Sequence, residues 1–294
     1  MSKQQLPVYS ICSLTKTPQL PNDCIADDFK HYLEVHKDLH FPHKHSFYHL
    51  VYFSEGSGSH SIDFLTFPVH PGQIYFMVPG QVHTWEFDNG PNGYIINFSE
   101  QYLSALIQNP RYLDQFTFFS GQAKEQVIDI PLDGRNQVEQ TLAAIVREAN
   151  STNNLKDDFV RAALVQLFIQ VNRYTQTGGR SQLNNYNRLL LRNFQKLIEQ
   201  HFKEKKLSKE YAAMLYVTPN HLNALTKDIT GLSAGELIRD RIILEAKRLL
   251  VNADMSIMEI ANDLDFLDNS YFSKFFKKYV GVTPEIFRKQ IHKT

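Results

Sequence analysis

The fold of this chain is decided by the stretch Ser256–Arg288, which reads S-I-M-E-I-A-N-D-L-D-F-L-D-N-S-Y-F-S-K-F-F-K-K-Y-V-G-V-T-P-E-I-F-R. It begins with Ser256, a good N-cap residue, and Glu259 stands three residues later, as in a capping box. Apolar side chains then recur at helical spacing on one face, at Ile257, Ile260, Ala261 and Leu264. The pattern predicts a short amphipathic helix.

A turn and a second helix are predicted to follow, with the turn at 265–268 and the helix beginning at Asn269. The core-facing side chains of this helix are predicted to be Phe272, Phe275, Phe276 and Tyr279, and the outward ones Ser270, Ser273, Lys274, Lys277 and Lys278. Gly281 is typical of a helix end, and Thr283 with Pro284 is typical of the start of a third helix. The stretch therefore predicts a helix-turn-helix whose second helix presents a basic face suited to a DNA major groove.

The same stretch resembles the C-terminal half of AraC/XylS-type transcription regulators. The resemblance covers Arg188–Lys289, where I-A-N-D-L-D-F, S-Y-F-S-K-F-F-K, G-V-T-P and F-R occur in the family's order and spacing. Asp265 departs from the family pattern, which usually has glycine in this turn. The resemblance implies an all-α DNA-binding domain with two helix-turn-helix motifs joined by a long helix.

An internal repeat predicts the second motif from the residues themselves. Glu210, Ala212 and Leu215 match Glu259, Ala261 and Leu264 at an offset of 49, while Leu222, Leu225, Lys227, Gly231 and Ser233 match Phe272, Phe275, Lys277, Gly281 and Thr283 at 50. The helix predicted over 234–251 joins the two copies, and its 18 residues at about 1.5 Å each span about 27 Å. Successive major-groove faces lie ~34 Å apart, so one chain is expected to contact two adjacent turns of double-stranded DNA.

The resemblance places the base-reading positions on the second helix of each motif. The candidate DNA-binding residues are Asn220, His221, Asn223, Ala224, Lys227, Asn269, Ser270, Ser273, Lys274, Lys277 and Lys278. Asparagine can pair with adenine through two hydrogen bonds and lysine can contact guanine or a phosphate, whereas Ala224 offers only a methyl contact to thymine. For Lys277 and Lys278, a solvated helix face is the alternative interpretation.

The N-terminal half has the pattern of a sheet. From His31 to Ser99, short alternating runs such as F-Y-H-L-V-Y-F and Q-I-Y-F-M-V are separated by Gly and Pro, which predicts a small antiparallel barrel or double-sheet jelly roll. P-H-K-H-S-F-Y-H at Pro42–His49 and G-Q-I-Y-F-M-V-P-G-Q-V-H at Gly72–His83 are similar to the two cupin motifs. AraC-type regulators often carry a cupin-like sensing domain in this position. The predicted fold class is therefore α+β with two domains.

The candidate effector-binding residues are His43, His45, His49, Tyr52, Tyr75, His83 and Trp85. In metal-binding cupins an H-x-H pair, a later Glu and a His of the second motif converge, and His49 stands here where the Glu is expected. Neutral imidazoles suit Zn, Fe or Ni, so a metal site stays open. We favour a small organic effector with no metal or cofactor, because the resembling sensor domains usually lack a catalytic ion. Trp85 shares a strand face with His83 and offers an aromatic platform, with a plain core role as the alternative.

After residue 130 the pattern becomes helical. One stripe, at Val160, Leu164, Leu167, Phe168 and Val171, is close to a heptad seam and is the candidate interface of a homodimer, with packing on the barrel as the alternative. Residues 176–187 are rich in Gly, Ser and Asn and are predicted to be a linker. The predicted organisation is a sensing barrel over 1–130, a helical dimerisation segment over 131–175, this linker, and a DNA-binding domain over 188–294.

The charged residues are distributed unequally between the two halves of the chain. The formal net charge is zero over 294 residues, but residues 1–187 carry 13 basic against 18 acidic side chains, whereas residues 188–294 carry 18 against 13. This asymmetry favours a nucleic-acid partner for the second half. Cys12 and Cys24 are too few for a disulfide framework, and no signal peptide or 18-residue apolar run is present, which predicts a reduced, cytoplasmic protein with no membrane partner.

The preferred function is a transcription regulator, not an enzyme, whose barrel binds a small-molecule effector and biases DNA binding. RNA polymerase is a further partner that the resemblance implies. Two alternatives remain open at this point: a metal-dependent cupin enzyme that uses His43, His45 and His83, and a constitutive DNA-binding protein whose barrel is only a scaffold.

Overall fold

A computed structural model describes residues 7–14, 23–36, 39, 42–109, 111–176, 185–251 and 255–291. The chain divides into two compact units, one containing Pro7–Arg180 and the other containing Ser181–Thr294. Most of the predicted linker, 177–184, lies outside the described residues. Asn185–Asn187, its last part, already belongs to a helix.

The N-terminal unit is a mostly antiparallel sheet with helices after it, as the sequence pattern predicts. Within its described residues the strands are β1 (Val8–Tyr9), β2 (Cys24–Asp28), β3 (His43–His45), β4 (Tyr48–Ile62), β5 (Leu65–Val69), β6 (Gln73–Met77), β7 (Val82–Phe98) and β8 (Val127–Asp129). Its α-helices are α1 (Ile11–Leu14), α2 (Phe29–Val35), α3 (Glu100–Ser104), α4 (Ala123–Gln126), α5 (Leu132–Ala149) and α6 (Lys156–Gln176). The strand order is β1-β3-β7-β4-β6-β8, with β2 added on β7 and β5 added on β4.

Two long strands, β4 and β7, give the sheet two layers. The first half of β4 pairs with β6 and with the second half of β7, whereas the second half of β4 pairs with β5 and with the first half of β7. The register between the two strands shifts repeatedly from Phe53 to Gly58, which marks β-bulges that bend both strands. The described strands therefore form one continuous sheet that bends at the bulges, in agreement with the prediction of a sheet-rich N-terminal domain.

Two hydrophobic cores follow from this bend. One lies between the layers and includes Val51 and Phe53 from the first half of β4, Ile62 from its second half, and Trp85 from β7. The other lies on the outer face of the first layer, where alternate residues of the same strands meet α5 and α6.

The stripe proposed for dimerisation belongs to the outer core. Val160, Leu164, Leu167, Phe168 and Val171 are all fully buried against the sheet and α5. They cannot reach a second chain, so the prediction that these side chains form a dimer interface is wrong. The alternative, packing on the chain's own sheet, is what the structure shows. The helical period correctly predicts the apolar face of α6, but it does not predict that the sheet and α5 cover this face.

The C-terminal unit is all helical, as predicted. Its helices are α7 (Asn185–His201), α8 (Ser208–Met214), α9 (Pro219–Thr230), α10 (Ala234–Val251), α11 (Ile257–Asp263), α12 (Asn269–Val280) and α13 (Pro284–Ile291). Helices α8 and α11 correspond at an offset of 49, and α9 and α12 at an offset of 50, as the sequence repeat indicates. Each pair forms a helix-turn-helix, and the 18-residue helix α10 connects them around one shared core.

The local signals of the first quoted stretch form as the sequence predicts. The Ser256 hydroxyl accepts from the Glu259 amide, and the Glu259 carboxylate accepts from the Ser256 amide, which completes the capping box. Gly281 ends α12 with φ of 90°, and Gly231 ends α9 with φ of 77°. Left-handed backbone at both ends explains why glycine stands in both copies.

The turn of each motif contains one residue with a left-handed backbone conformation. Tyr216 and Asp265, at equivalent positions, have φ of 56° and 53°. A left-handed conformation is costly for residues with a Cβ, although aspartate tolerates it better than most. The left-handed backbone at Asp265 gives a physical reason for the glycine that the resembling regulators usually have in this turn.

Candidate functional site

Five histidine side chains lie together inside the N-terminal unit. They are His43 and His45 on β3, His49 and His60 on β4, and His83 on β7, and each is at most 4% exposed. Strand pairing fixes their backbones, because His43 is the direct partner of His83 and His60 is the direct partner of Trp85. The structure thus brings together all four histidines that the sequence singled out and adds a fifth.

The rings of this histidine cluster (His43, His45, His49, His60 and His83) are in mutual contact. The Nε2 atoms of His43 and His45 are 3.2 Å apart, and His60 Nε2 lies 3.3 Å from His83 Nδ1. One ring nitrogen from each of His43, His45 and His83 lies within 4.8 Å of the other two. Three lone pairs from three separate residues can therefore converge on one point.

Hydrogen bonding sets the tautomer of one ring. His49 Nδ1 lies 2.6 Å from Asn97 Oδ1, and Asn97 Nδ2 donates to the Tyr32 hydroxyl at 3.2 Å. Since the amide oxygen only accepts, His49 carries its hydrogen on Nδ1 and keeps a lone pair on Nε2.

Several polar atoms of the cluster have no hydrogen-bond partner among the described residues. They are His45 Nδ1, His49 Nε2, His60 Nδ1, His83 Nε2 and the neighbouring Trp85 Nε1. A buried polar atom that loses its hydrogen bond costs about 1–3 kcal/mol. Five such atoms in one place indicate a site that is built to meet a further polar group.

Burial keeps these rings neutral. Desolvation lowers the pKa of His49 to about 3 despite the hydrogen bond to Asn97, and it lowers the pKa of His45, His60 and His83 well below 6.5. The neighbouring imidazoles act in the same direction. Those four rings therefore present lone pairs at neutral pH and not positive charge.

The aromatic candidates divide between the two faces of the sheet. Trp85 lies inside, with its ring centroid 4.9 Å from that of His83, and Tyr75 also lies inside, 4.8 Å from His60. Tyr52 faces the other way: it belongs to the outer core, and its hydroxyl donates to Glu139 on α5 at 2.7 Å. The prediction that Tyr52 lines the interior is wrong, because side chains alternate along β4 and His49 occupies the inner face.

His60 was missed because the bulges change this alternation. In the first half of β4 odd-numbered residues such as Val51 and Phe53 face inward, whereas beyond the bulges Ile62 does. A simple period of two carried through from Val51 would point His60 outward. The only sequence signal was the glycine-rich run at 56–58, where a bulge is common.

The candidate DNA-contacting faces lie on α9 and α12 of the C-terminal unit. On α9, Asn220, His221, Ala224 and Lys227 are exposed, and on α12 Asn269, Ser270, Lys274, Lys277 and Lys278 are exposed. Asn223 and its counterpart Ser273 are half-buried. Three lysines make the α12 face basic, whereas Lys227 on α9 is followed by Asp228.

Asn223 has a structural role that its position did not reveal. Its side-chain oxygen accepts from the Ala234 amide at 3.0 Å, at the start of α10. Pairing with adenine needs both the oxygen and the nitrogen of the amide, so the predicted bidentate contact of Asn223 is not available in this structure. Instead, Asn223 ties α9 to the first turn of α10.

Tyr271 is a residue that the sequence argument overlooked. It is 61% exposed on α12, beside Ser270 and Lys274, at the position equivalent to His221 on α9. Tyr279, predicted to face the core, is 42% exposed, and the Arg239 guanidinium covers its ring at 4.4 Å.

Comparisons with known proteins agree with both units. Residues 30–169 match a family model described as an AraC-like ligand binding domain, and residues 211–290 match one described as a helix-turn-helix domain. The uncharacterized HTH-type transcriptional regulator YfiF of Bacillus subtilis is 24% identical, over 84% of this chain and 78% of its own length. The HTH-type transcriptional activator RhaS of Klebsiella pneumoniae is 25% identical, over 85% of this chain and 88% of its own length.

Together the two models account for both units of this chain. The chain belongs to the AraC family of transcription regulators. A crystal structure of ToxT from Vibrio cholerae is also similar, with 15% identity, a TM-score of 0.43, and coverage of 84% of this chain and 90% of that one. Both of these relatives of the AraC-family regulator are named as transcription regulators. Within the described residues, no helix is both long and apolar enough to cross a membrane.

Proposed function

We propose that this AraC-family regulator binds its effector among the histidine cluster and that the bound effector changes the affinity of the C-terminal unit for an operator. The observation that carries this proposal is the set of buried, unpaired ring nitrogens inside the unit that matches a ligand-binding model. The proposed effector-contacting residues are His43, His45, His49, His60, Tyr75, His83 and Trp85. An effector acts only if it binds one conformation of the chain more tightly than another.

The DNA contacts are proposed to come from both recognition helices. On α9 they are Asn220, His221, Ala224 and Lys227, and on α12 they are Asn269, Ser270, Tyr271, Ser273, Lys274, Lys277 and Lys278. The shared geometry of the two motifs and the length of α10 support contact with two adjacent major grooves. Because its face carries three lysines, α12 is expected to supply most of the phosphate contacts.

Because the predicted stripe is buried within the chain, we propose that the dimer contact lies on the opposite face of α6. Phe159, Ala162, Gln166 and Ile169 are exposed there at spacings of three and four residues, which is the spacing of a coiled-coil seam. Phe159 is 48% exposed and Ile169 is 39% exposed, although both are large and apolar. We place the homodimer interface on this face, with helices 131–175 serving both the sensing core and the dimer.

Two further assignments complete the proposal. We propose that the chain acts in the bacterial cytoplasm, because a regulator that binds operators works beside the chromosome. RNA polymerase is the natural partner of such a regulator when it activates, and the exposed residues of the C-terminal unit outside the DNA-facing helices are available for that contact.

Footprinting of the full chain on DNA selected from a random pool tests the function. Protection should cover two successive major grooves on one side of the duplex for each bound chain. Lys274→Glu should abolish it, whereas Lys124→Glu, the same charge change on the exposed surface of the other unit, should leave it intact. Protection of a single groove, or equal loss in both variants, would contradict the proposal.

A further inference from the structure

We propose that the histidine cluster is a binding site for a divalent transition metal ion, with His43, His45 and His83 as ligands. That the metal ion is the effector rests on the proposed function. That a metal ion binds at all rests only on the geometry of the histidine cluster. The sequence favours an organic effector, whereas the inward His60 and the unpaired ring nitrogens favour a metal ion.

The spacing of the nitrogens fits coordination by one ion. Zn–N bonds of about 2.0–2.1 Å in a tetrahedral site place two ligand nitrogens about 3.3 Å apart. His43 Nε2 and His45 Nε2 are already 3.2 Å apart, and the ligand atoms of all three residues lie within 4.8 Å of one another. Small ring rotations suffice for the remaining contraction, because the paired strands β3 and β7 hold the backbones together.

The outer contacts are those that metal-binding histidines make. A ligating histidine commonly donates its second ring N–H to a neighbour, which orients the ring. If His83 binds through Nε2, its unpaired atom, Nδ1–H can donate to His60 Nε2 at 3.3 Å. His49 is oriented in the same way by Asn97, but its nitrogens are not among the three ligand atoms that converge, so it supports the cluster without being assigned as a ligand.

The chemistry of the donors selects a cation. The converging ligand atoms are all imidazole nitrogens, and the cluster contains no carboxylate that would favour a harder ion such as Mg²⁺ or Ca²⁺. Neutral imidazoles prefer Zn²⁺, Cu²⁺, Ni²⁺ or Fe²⁺.

The direct test is metal analysis of the full chain, purified without an affinity tag or chelator, followed by titration of chelator-treated protein with Co²⁺. About one metal ion per chain is expected, together with the strong visible absorption of four-coordinate Co²⁺. His83→Asn should remove both signals. His60→Phe, which leaves the three ligands in place, should weaken binding by about 10- to 100-fold.

His70→Asn is the matched control, because His70 is an exposed histidine of the same unit beside Asp129. It should retain the bound ion and the absorption. Far-UV circular dichroism of each variant separates loss of ligands from loss of fold, and His60→Phe still reports if His83→Asn does not fold.

Two results would overturn the inference: no retained metal with no Co²⁺ absorption, or Co²⁺ binding that His83→Asn leaves unchanged and His70→Asn removes. The first outcome together with intact footprints would reject the metal but keep the regulator. Missing footprints with one bound ion would instead reject the proposed function and keep the metal site.

Discussion

His43 and His83 lie directly opposite each other on β3 and β7, and their ring centroids are 4.2 Å apart. Because neighbouring strands hold both backbones, two of the three proposed ligands are arranged before any ligand arrives. Trp85 follows two residues after His83 on the same strand face, and it is the only tryptophan of the chain. The fluorescence of the protein therefore reports on this cluster.

Trp85 emission should be quenched by Co²⁺ or Cu²⁺. The indole centroid lies 4.9 Å from His83 and 6.2 Å from His43, and open-shell ions quench a fluorophore at such short range. A fluorescence titration should saturate near one equivalent in the parent and in His70→Asn. Emission from His83→Asn should stay unchanged at the same metal concentrations. Equal quenching of all three proteins would place the ion elsewhere.

The two recognition helices should differ in their salt dependence. Lys274 and Ala224 occupy equivalent positions on α12 and α9, and both are exposed. Lys274→Ala should lower the slope of log affinity against log salt by about one, and Ala224→Lys should raise it by about one, because each lysine–phosphate contact releases about one counterion. Binding titrations at several salt concentrations measure this, with Lys124→Ala as the control. Unchanged slopes in both variants would remove these faces from the DNA interface.

Much of the C-terminal unit was predictable because its signals are local. The capping box at Ser256, the glycine at 281 and the repeat of the motif each depend on residues a few positions apart. Asn223 was misjudged because its partner, the Ala234 amide, lies 11 residues away on the next helix. The position of a residue on a recognition helix does not predict whether its short polar side chain faces DNA or forms a hydrogen bond with a neighbouring helix.

The left-handed cap of α12 gives a stability prediction. At Gly281, with φ of 90°, an added Cβ meets no atom within 4 Å, so Gly281→Ala should cost about 1–2 kcal/mol of unfolding free energy through backbone strain alone. Gly235 is the second residue of α10 and has the same open space, so Gly235→Ala should stabilise by about 0.4–1 kcal/mol through the lower conformational entropy of the unfolded chain. Urea unfolding of both variants checks the opposite signs. Changes of the same sign would contradict the assigned cap.

The two faces of α6 should respond oppositely to substitution. Leu164 is fully buried, so Leu164→Ala should lower the free energy of unfolding by about 2–5 kcal/mol. Ile169→Lys, on the exposed face, should leave the fold intact and yield monomers where the parent is dimeric. Sedimentation and thermal unfolding separate the two effects. A folded Ile169→Lys variant that remains dimeric would move the interface elsewhere.

The N-terminal unit was harder to predict because its site depends on contacts between distant strands. The two histidine motifs identified His43, His45, His49 and His83, yet the bulges that turn His60 inward leave no regular sequence period. The unpaired ring nitrogens, which favour a metal ligand, come together only when the distant strands pair. The burial of Leu164 likewise depends on a sheet formed about one hundred residues earlier.

The central claim is that a ligand in the histidine cluster sets the affinity for DNA. The most direct measurement is the operator affinity of the full chain with saturating Zn²⁺ and with a chelator, for the parent and for His83→Asn. Allosteric coupling of ordinary size predicts a change of about 5- to 150-fold in the parent and none in the variant. Equal affinity of the parent under both conditions would contradict the account.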